Sequence, residues 1–234
     1  MIAIMSDIHG NYTALCEVLK KIDEMCIVKI YNLGDATGYY SQVNECCDEL
    51  RKRNVISVMG NHDFYLATNT KCPRSRSVNE CLEYQRKVIS QENLNWIKSL
   101  PQKITIDNMV FVHGGWIDNI DEYLLEPSEE YFSKIEGTYF ASGHTHIQTL
   151  VKYGEKIYCN PGSVGQPRDN DNRAAFATFD GEDFALHRVG YDIEKVGRLM
   201  EDAGFHDYYY GGLFTGARNL TQLRRHDRKR LCLC

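Results

Sequence analysis

Ile2-Ala-Ile-Met5 followed by Ser6-Asp7-Ile8-His9-Gly10-Asn11 opens the chain, and Ala14, Leu15, Val18, Leu19 and Ile22 then recur at helical spacing. The order is a short buried strand, a polar loop and an amphipathic helix. Two further strands, over residues 28–33 and 55–59, flank a helix over 42–53. The first runs into Gly34-Asp35-Ala-Thr-Gly38 and the second into Gly60-Asn61-His62-Asp63. Strands alternating with helices predict an α/β domain whose early strands are parallel.

Residues 64–100 break that rhythm. A basic polar stretch over 69–77 leads into a helical segment with Val78, Cys81, Leu82, Val88 and Ile89 on one face. Ser90 is placed to cap a second short helix. With no linker on either side, about 64–100 is read as a helical insertion. From Ile104 the pattern is mostly β, with strands expected over 103–106, 109–112, 138–141, 149–153, 156–159, 174–179 and 184–189. Asp192 starts a final helix to about Ala203. Residues 1–217 are thus expected to form one domain, and 218–234 a basic C-terminal tail.

Composition narrows the class. The chain has 234 residues, 43% of them hydrophobic, which suits one soluble domain. Its apolar runs fall far short of the ~20 residues needed to span a bilayer, and the N-terminus lacks the features of a signal peptide. Nine Cys occur without any Cys-x-x-Cys, as expected of buried thiols in a reducing cytoplasm. The net charge of −5 argues against long nucleic acid or an anionic membrane as partner. Six Lys/Arg against one Asp in residues 218–234 leave a formal −10 on residues 1–217. Taken alone, such an acidic body should repel phosphate compounds.

The strand ends modify that expectation. Five of them run at once into Asp, His or Asn: Asp7/His9, Asp35, Asn61/His62, His113 and His144/His146. Ligands gather at the carboxyl ends of strands in open α/β sheets, so these segments should converge. Asp7 and His9 are two apart, as are His144 and His146, and extended backbone would point each pair to one side. Each His alone would pass for an ordinary core or surface histidine. Together, carboxylate, imidazole and amide oxygen suit Mn, Fe, Zn, Co or Ni. Seven such groups exceed one tetrahedral ion, and two ions sharing a carboxylate would use them all.

These segments resemble the five signatures of the calcineurin-like metallophosphoesterases, in family order: Asp7-Ile-His9-Gly-Asn11, Gly34-Asp35, Gly60-Asn61-His62-Asp63, Val112-His113-Gly114 and Gly143-His144-Thr-His146. The resemblance covers about residues 1–190. It is strongest to the small bacterial and archaeal single-domain phosphodiesterase branch, which Asn160-Pro-Gly-Ser-Val-Gly-Gln-Pro-Arg168-Asp169 also resembles. It implies a four-layer α/β sandwich of two mixed sheets flanked by helices. It further implies one divalent ion, manganese foremost, on Asp7, His9, Asp35 and His146, and a second on Asp35, Asn61, His113 and His144. Two such ions ~3.5–4 Å apart clamp a phosphoryl oxygen and acidify a bridging water for in-line attack. By the same resemblance His62 is the general acid for the leaving oxygen or a cation stabilising the transition state, with Asp63 orienting its ring. Asn11 and Arg168 are expected to contact phosphate oxygens, and Tyr39 and Tyr40 to stack on a base or ring near the mouth.

Departures narrow the branch. Phosphoprotein phosphatases carry Gly-Asp-x-x-Asp-Arg-Gly where this chain has Gly34-Asp-Ala-Thr-Gly-Tyr-Tyr40, so the arginine that grips phosphate there is missing. The expected substrates are small phosphodiesters or nucleotide-derived phosphoanhydrides, such as cyclic nucleotides and dinucleoside polyphosphates. A phosphomonoesterase is the alternative, and a non-catalytic scaffold of the same fold is a third reading. Tyrosines at 208–210 are expected on the surface, where they would suit contact between copies of the chain.

Overall fold

The computed structural model describes residues 1–217, so the basic tail expected over 218–234 lies outside the described residues. Two five-stranded mixed sheets face each other. In the first, β1 (Ile2–Met5) pairs in parallel with β2 (Ile30–Asn32), and β2 likewise with β3 (Ile56–Ser57). On its other side β1 pairs antiparallel with β9 (Ala174–Phe179), which carries β10 (Phe184–Val189). The second sheet has the order β4-β5-β6-β8-β7. It comprises β4 (Lys103–Ile106), β5 (Met109–Val112), β6 (Tyr139–Ala141), β7 (Thr149–Tyr153) and β8 (Lys156–Asn160).

Alternation along β1 sorts the layers, because successive side chains leave opposite faces. Ile4 points between the sheets, where it meets Tyr31, Leu33, Phe111, Ala141, Cys159 and Ala177. Ala3 and Met5 point outward against Ala14, Leu15, Val18 and Ile22 of α1 (Tyr12–Glu24). The outer face of the second sheet buries Val110, Phe140 and Tyr158 beneath Phe132 of α6 (Glu129–Ser133). Helix, sheet, sheet and helix form the four layers expected. Further helices are α2 (Val43–Lys52), α3 (Asn61–Thr68), α4 (Arg76–Val88), α5 (Gln91–Lys98) and α7 (Ile193–Asp202). Val43, Cys47, Tyr65, Leu66, Val78, Leu82 and Ile97 form a separate cluster joining α2 to α3, α4 and α5.

Several expectations fail locally. Residues 28–33 supply only a three-residue strand, because Val28 is 91% exposed. Asn61 opens a helix that the polar Gly60-Asn61-His62-Asp63 stretch does not advertise. Val88 is exposed rather than packed, and Tyr210 is buried with Tyr40, Val196 and Met200. Cys46, Cys47, Cys72, Cys81 and Cys159 are buried free thiols, but Cys26 is exposed. No helix among the described residues is long and apolar enough to cross a membrane.

Candidate metal centre

Asp7, His9, Asp35, His144 and His146 all have positive φ, between 56° and 66°. The extended-backbone argument for the Asp7/His9 and His144/His146 pairs is therefore wrong. Left-handed residues turn each strand sharply at its end, and that turn aims the side chains. Asp, Asn and His tolerate this region better than most residues, but it still costs ~1–3 kcal/mol each. The surrounding bonds hold the turns. Gly165 N and Ser163 Oγ donate to Asp7 O at 3.0 and 2.7 Å. Asn160 Nδ2 donates to Gly143 O at 2.7 Å. The Asn160–Gly165 stretch thus braces both the first and the last motif.

The seven expected ligands converge and are all nearly inaccessible, at 3% exposure or less. Asp7, His9 and His146 form one group of ligand atoms, and Asp35, His113 and His144 form another, each within 4.8 Å. Asp35 Oδ2 lies 3.7 Å from His9 Nε2 and 3.3 Å from His113 Nε2, so a single carboxylate faces both groups. Asn61 Oδ1 stands 3.1 Å from His113 Nε2. Backbone carbonyls fix the rings. His9 Nδ1 donates to Thr37 O at 2.8 Å, His113 Nδ1 to Leu33 O at 2.7 Å and His146 Nδ1 to Gln166 O at 2.6 Å. A carbonyl can only accept, so each Nδ1 carries a proton and leaves Nε2 facing the ligand groups, where it offers a lone pair once it is itself free of a proton.

Lone pairs facing each other need a cation. His9 Nε2 and His146 Nε2 are 3.1 Å apart, and the buried oxygens Asp7 Oδ1 and Asp35 Oδ2 have no hydrogen-bond partner. Orphaned acceptors at such density are costly in a dry interior. The donor set fits two divalent ions.

Without a cation, a proton is the counter-charge available. Burial lowers the affinity of His113 for a proton, but the negative charge of Asp35, 3.3 Å from Nε2, outweighs it and pushes its pKa up to about 10. Burial also raises both Asp7 and Asp35. At pH 7 His113 Nε2 is therefore protonated, and an ion that binds there must displace the proton. Metal affinity should rise by about tenfold per pH unit from pH 7 to 9. Calorimetry in two buffers of different ionisation enthalpy should detect the released proton, and equal heats in both would contradict this.

His62 sits beside the ligands, its ring 4.7 Å from that of His9 and 4.9 Å from that of Tyr39. Its Nδ1 is buried and has no hydrogen-bond partner. The expectation that Asp63 orients this ring is overturned. Asp63 Oδ2 accepts from Asp35 N at 2.8 Å and Gly60 N at 3.1 Å, and Oδ1 from Thr37 N and Thr37 Oγ1. Its carboxylate therefore fixes the loop that carries Asp35 and caps the start of α3. Gly38, at φ 135°, lies against both rings: a Cβ there would come 2.4 Å from His9 Nδ1 and 2.6 Å from His62 Nδ1. Gln85 of α4 holds the same loop, accepting from Gly38 N and donating to Tyr40 O. Nothing in the local sequence of α4 marks Gln85 for that task.

The expected substrate contacts divide. Asn11 is not available: its Oδ1 caps α1 by accepting from Ala14 N, and its Nδ2 donates to Gly165 O. Tyr40 is buried in the core rather than at the mouth. Arg168 and Tyr39 do meet at the site. The guanidinium lies 5.6 Å from the Tyr39 ring centre, and Nη2 donates to the Tyr39 hydroxyl at 2.9 Å. Tyr123 and Asp121 also reach the site, with the Tyr123 ring 4.0 Å from that of His144. No strand end announced them, since they come from the loop after Gly114-Gly115.

A two-sheet α/β sandwich with such a cluster at its strand ends defines a metallophosphoesterase. The family model of the calcineurin-like phosphoesterase superfamily domain matches residues 1–183, and the chain belongs to that superfamily. It is 36% identical over 220 residues to the uncharacterized protein MJ0912 of Methanocaldococcus jannaschii, covering 84% of this chain and 90% of that one. A metallophosphoesterase from Sphaerobacter thermophilus superposes with a TM-score of 0.83 at 29% identity, over 92% of this chain and 98% of that one. The hypothetical protein PH1004 from Pyrococcus horikoshii shares the fold, with a TM-score of 0.82 at 21% identity over 93% and 100%.

Proposed function

We propose that this chain is a binuclear metal-dependent phosphoesterase that hydrolyses small phosphodiesters or nucleotide-derived phosphoanhydrides. The observation that carries this reading is the single Asp35 oxygen facing both ligand groups. Two divalent ions held by the groups would supply Lewis-acid charge and an acidified water. Manganese is the ion to test first, and the mixed O/N donors also suit Fe, Zn, Co and Ni.

The chain's own groups do the rest. Arg168, propped on Tyr39 and Gln166 Oε1, presents a planar fork suited to two phosphoryl oxygens. His62, its ring 4.7 Å from that of His9, would pass a proton to the departing oxygen once substrate charge offsets the burial that disfavours its protonated form. Asp63 keeps Asp35 in register without touching the substrate. The Mn²⁺-loaded protein should hydrolyse bis-p-nitrophenyl phosphate, and a chelator should abolish turnover. Inactivity toward it and toward p-nitrophenyl phosphate with Mn, Fe, Co, Ni and Zn would favour a scaffold of the same fold.

A further inference from the structure

Beside the ligand groups, Asp121 occupies a slot built for an anion. Arg74, from the basic stretch before α4, grips the Asp121 carboxylate with both terminal nitrogens, Nη1 donating at 2.7 Å. The Tyr65 hydroxyl donates to the same carboxylate at 3.3 Å. His144 completes the slot. Its Nδ1 faces His113 Nε2 at 3.1 Å, among the ligand atoms, so the ring proton belongs on Nε2 when Nδ1 binds an ion. That Nε2 is buried without a hydrogen-bond partner, and it points toward Asp121 Oδ1 across 3.8 Å, too far to be satisfied. A guanidinium fork, a phenol and an imidazole N–H are the donors that a phosphate oxyanion takes.

We propose that Arg74, Tyr65 and His144 Nε2 form a second anion subsite for the phosphoryl group next to the scissile one, with Asp121 as a displaceable plug. This rests on the phosphoesterase reading and selects phosphoanhydrides from its substrate classes. A simple diester has one phosphate and leaves the slot to Asp121. A phosphoanhydride places a second phosphate beside the ligand groups, and Arg74 exchanges the carboxylate for it. The Arg74–Asp121 pair has side chains 44% and 26% exposed, so water can solvate the carboxylate as it leaves, and the incoming phosphate replaces its charge on Arg74. In the reaction, water adds its oxygen to the scissile phosphorus and the P–O anhydride bond breaks. The electron pair leaves with the second phosphate, the water proton is released, and no redox partner is required.

Arg74→Gln, Arg74→Lys and Asp121→Asn separate the possibilities. Two readouts apply to the Mn²⁺-loaded protein: KM for diadenosine tetraphosphate against bis-p-nitrophenyl phosphate, and calorimetric binding of methylenediphosphonate, a non-hydrolysable diphosphate. Arg74→Gln should raise the tetraphosphate KM at least about tenfold more than the diester KM, and weaken the diphosphonate by a similar factor. Arg74→Lys should recover part of both. Asp121→Asn should tighten the diphosphonate while keeping the full metal content. Equal shifts for the two substrates, or unchanged diphosphonate binding in Arg74→Gln, would overturn the subsite. Loss of metal from Asp121→Asn would instead make Asp121 a carboxylate that orients His144. Hydrolysis of nothing, with the expected diphosphonate shifts intact, would leave the subsite standing and remove the catalytic reading.

Discussion

Asp35→Asn should lose about three orders of magnitude in turnover, equivalent to ~4 kcal/mol of transition-state stabilisation, together with at least one bound ion. The substitution is nearly isosteric. Asp35 Oδ1 accepts from His62 N at 2.8 Å, and an asparagine oxygen can keep that bond. What changes is Oδ2, the unpartnered oxygen 3.7 Å from His9 and 3.3 Å from His113. An amide NH₂ there has no charge and no lone pair to offer, so both groups lose their shared ligand at once. The proton on His113 loses its main partner as well, and the pKa of about 10 should fall. Metal analysis after dialysis, with kcat on the same sample, reads both effects. Two tightly held ions with full activity would refute the bridge.

His62→Ala should reduce turnover by about 10²- to 10⁴-fold, the range for removal of a general acid, while both ions stay bound. The fold should survive, because the bond from His62 to Asp35 is made by the backbone N–H. The loss should depend on the leaving group: small for p-nitrophenolate, which departs without a proton, and large for an alkoxide. A structural role would slow both equally. Loss of an ion would point to a different assignment, since a His62 nitrogen also falls within 4.8 Å of His9 and Asp35 ligand atoms. In that case His62 is a ligand, and the proton must come from elsewhere.

Sequence carried the site further than it carried the details of its support. Strand-end Asp, His and Asn residues could be read because strands show as apolar runs and metal-ligating side chains are chemically distinctive. The antiparallel pair Ala174–Phe179 and Phe184–Val189 was legible for the same reason, with Asp180-Gly181 marking its turn. Residues whose work is done by tertiary hydrogen bonds were not. Asp63 looked like a partner for its neighbour His62, yet it bonds backbone at Asp35 and Thr37. Asn11 looked free in its motif, yet both ends of its amide are committed to helix capping and to Gly165. Gln85 and Asp121 reach the site from α4 and from a loop, where neither periodicity nor spacing marks them. The left-handed turns at Asp7, His9, Asp35, His144 and His146 were equally hidden, because four of these residues precede no glycine.

The acidic balance of residues 1–217 also takes on a different meaning. Two of those acids, Asp7 and Asp35, are buried with unpartnered oxygens at the ligand cluster. Cations placed there would concentrate positive charge at the one point a phosphate must reach, so net charge is too coarse a scale for this substrate class. The most direct test is a titration of metal-free protein with Mn²⁺, following bound ion and bis-p-nitrophenyl phosphate hydrolysis together. The account predicts saturation at two ions per chain, with turnover following the doubly loaded fraction. Full turnover at one ion per chain, or saturation at one, would contradict it.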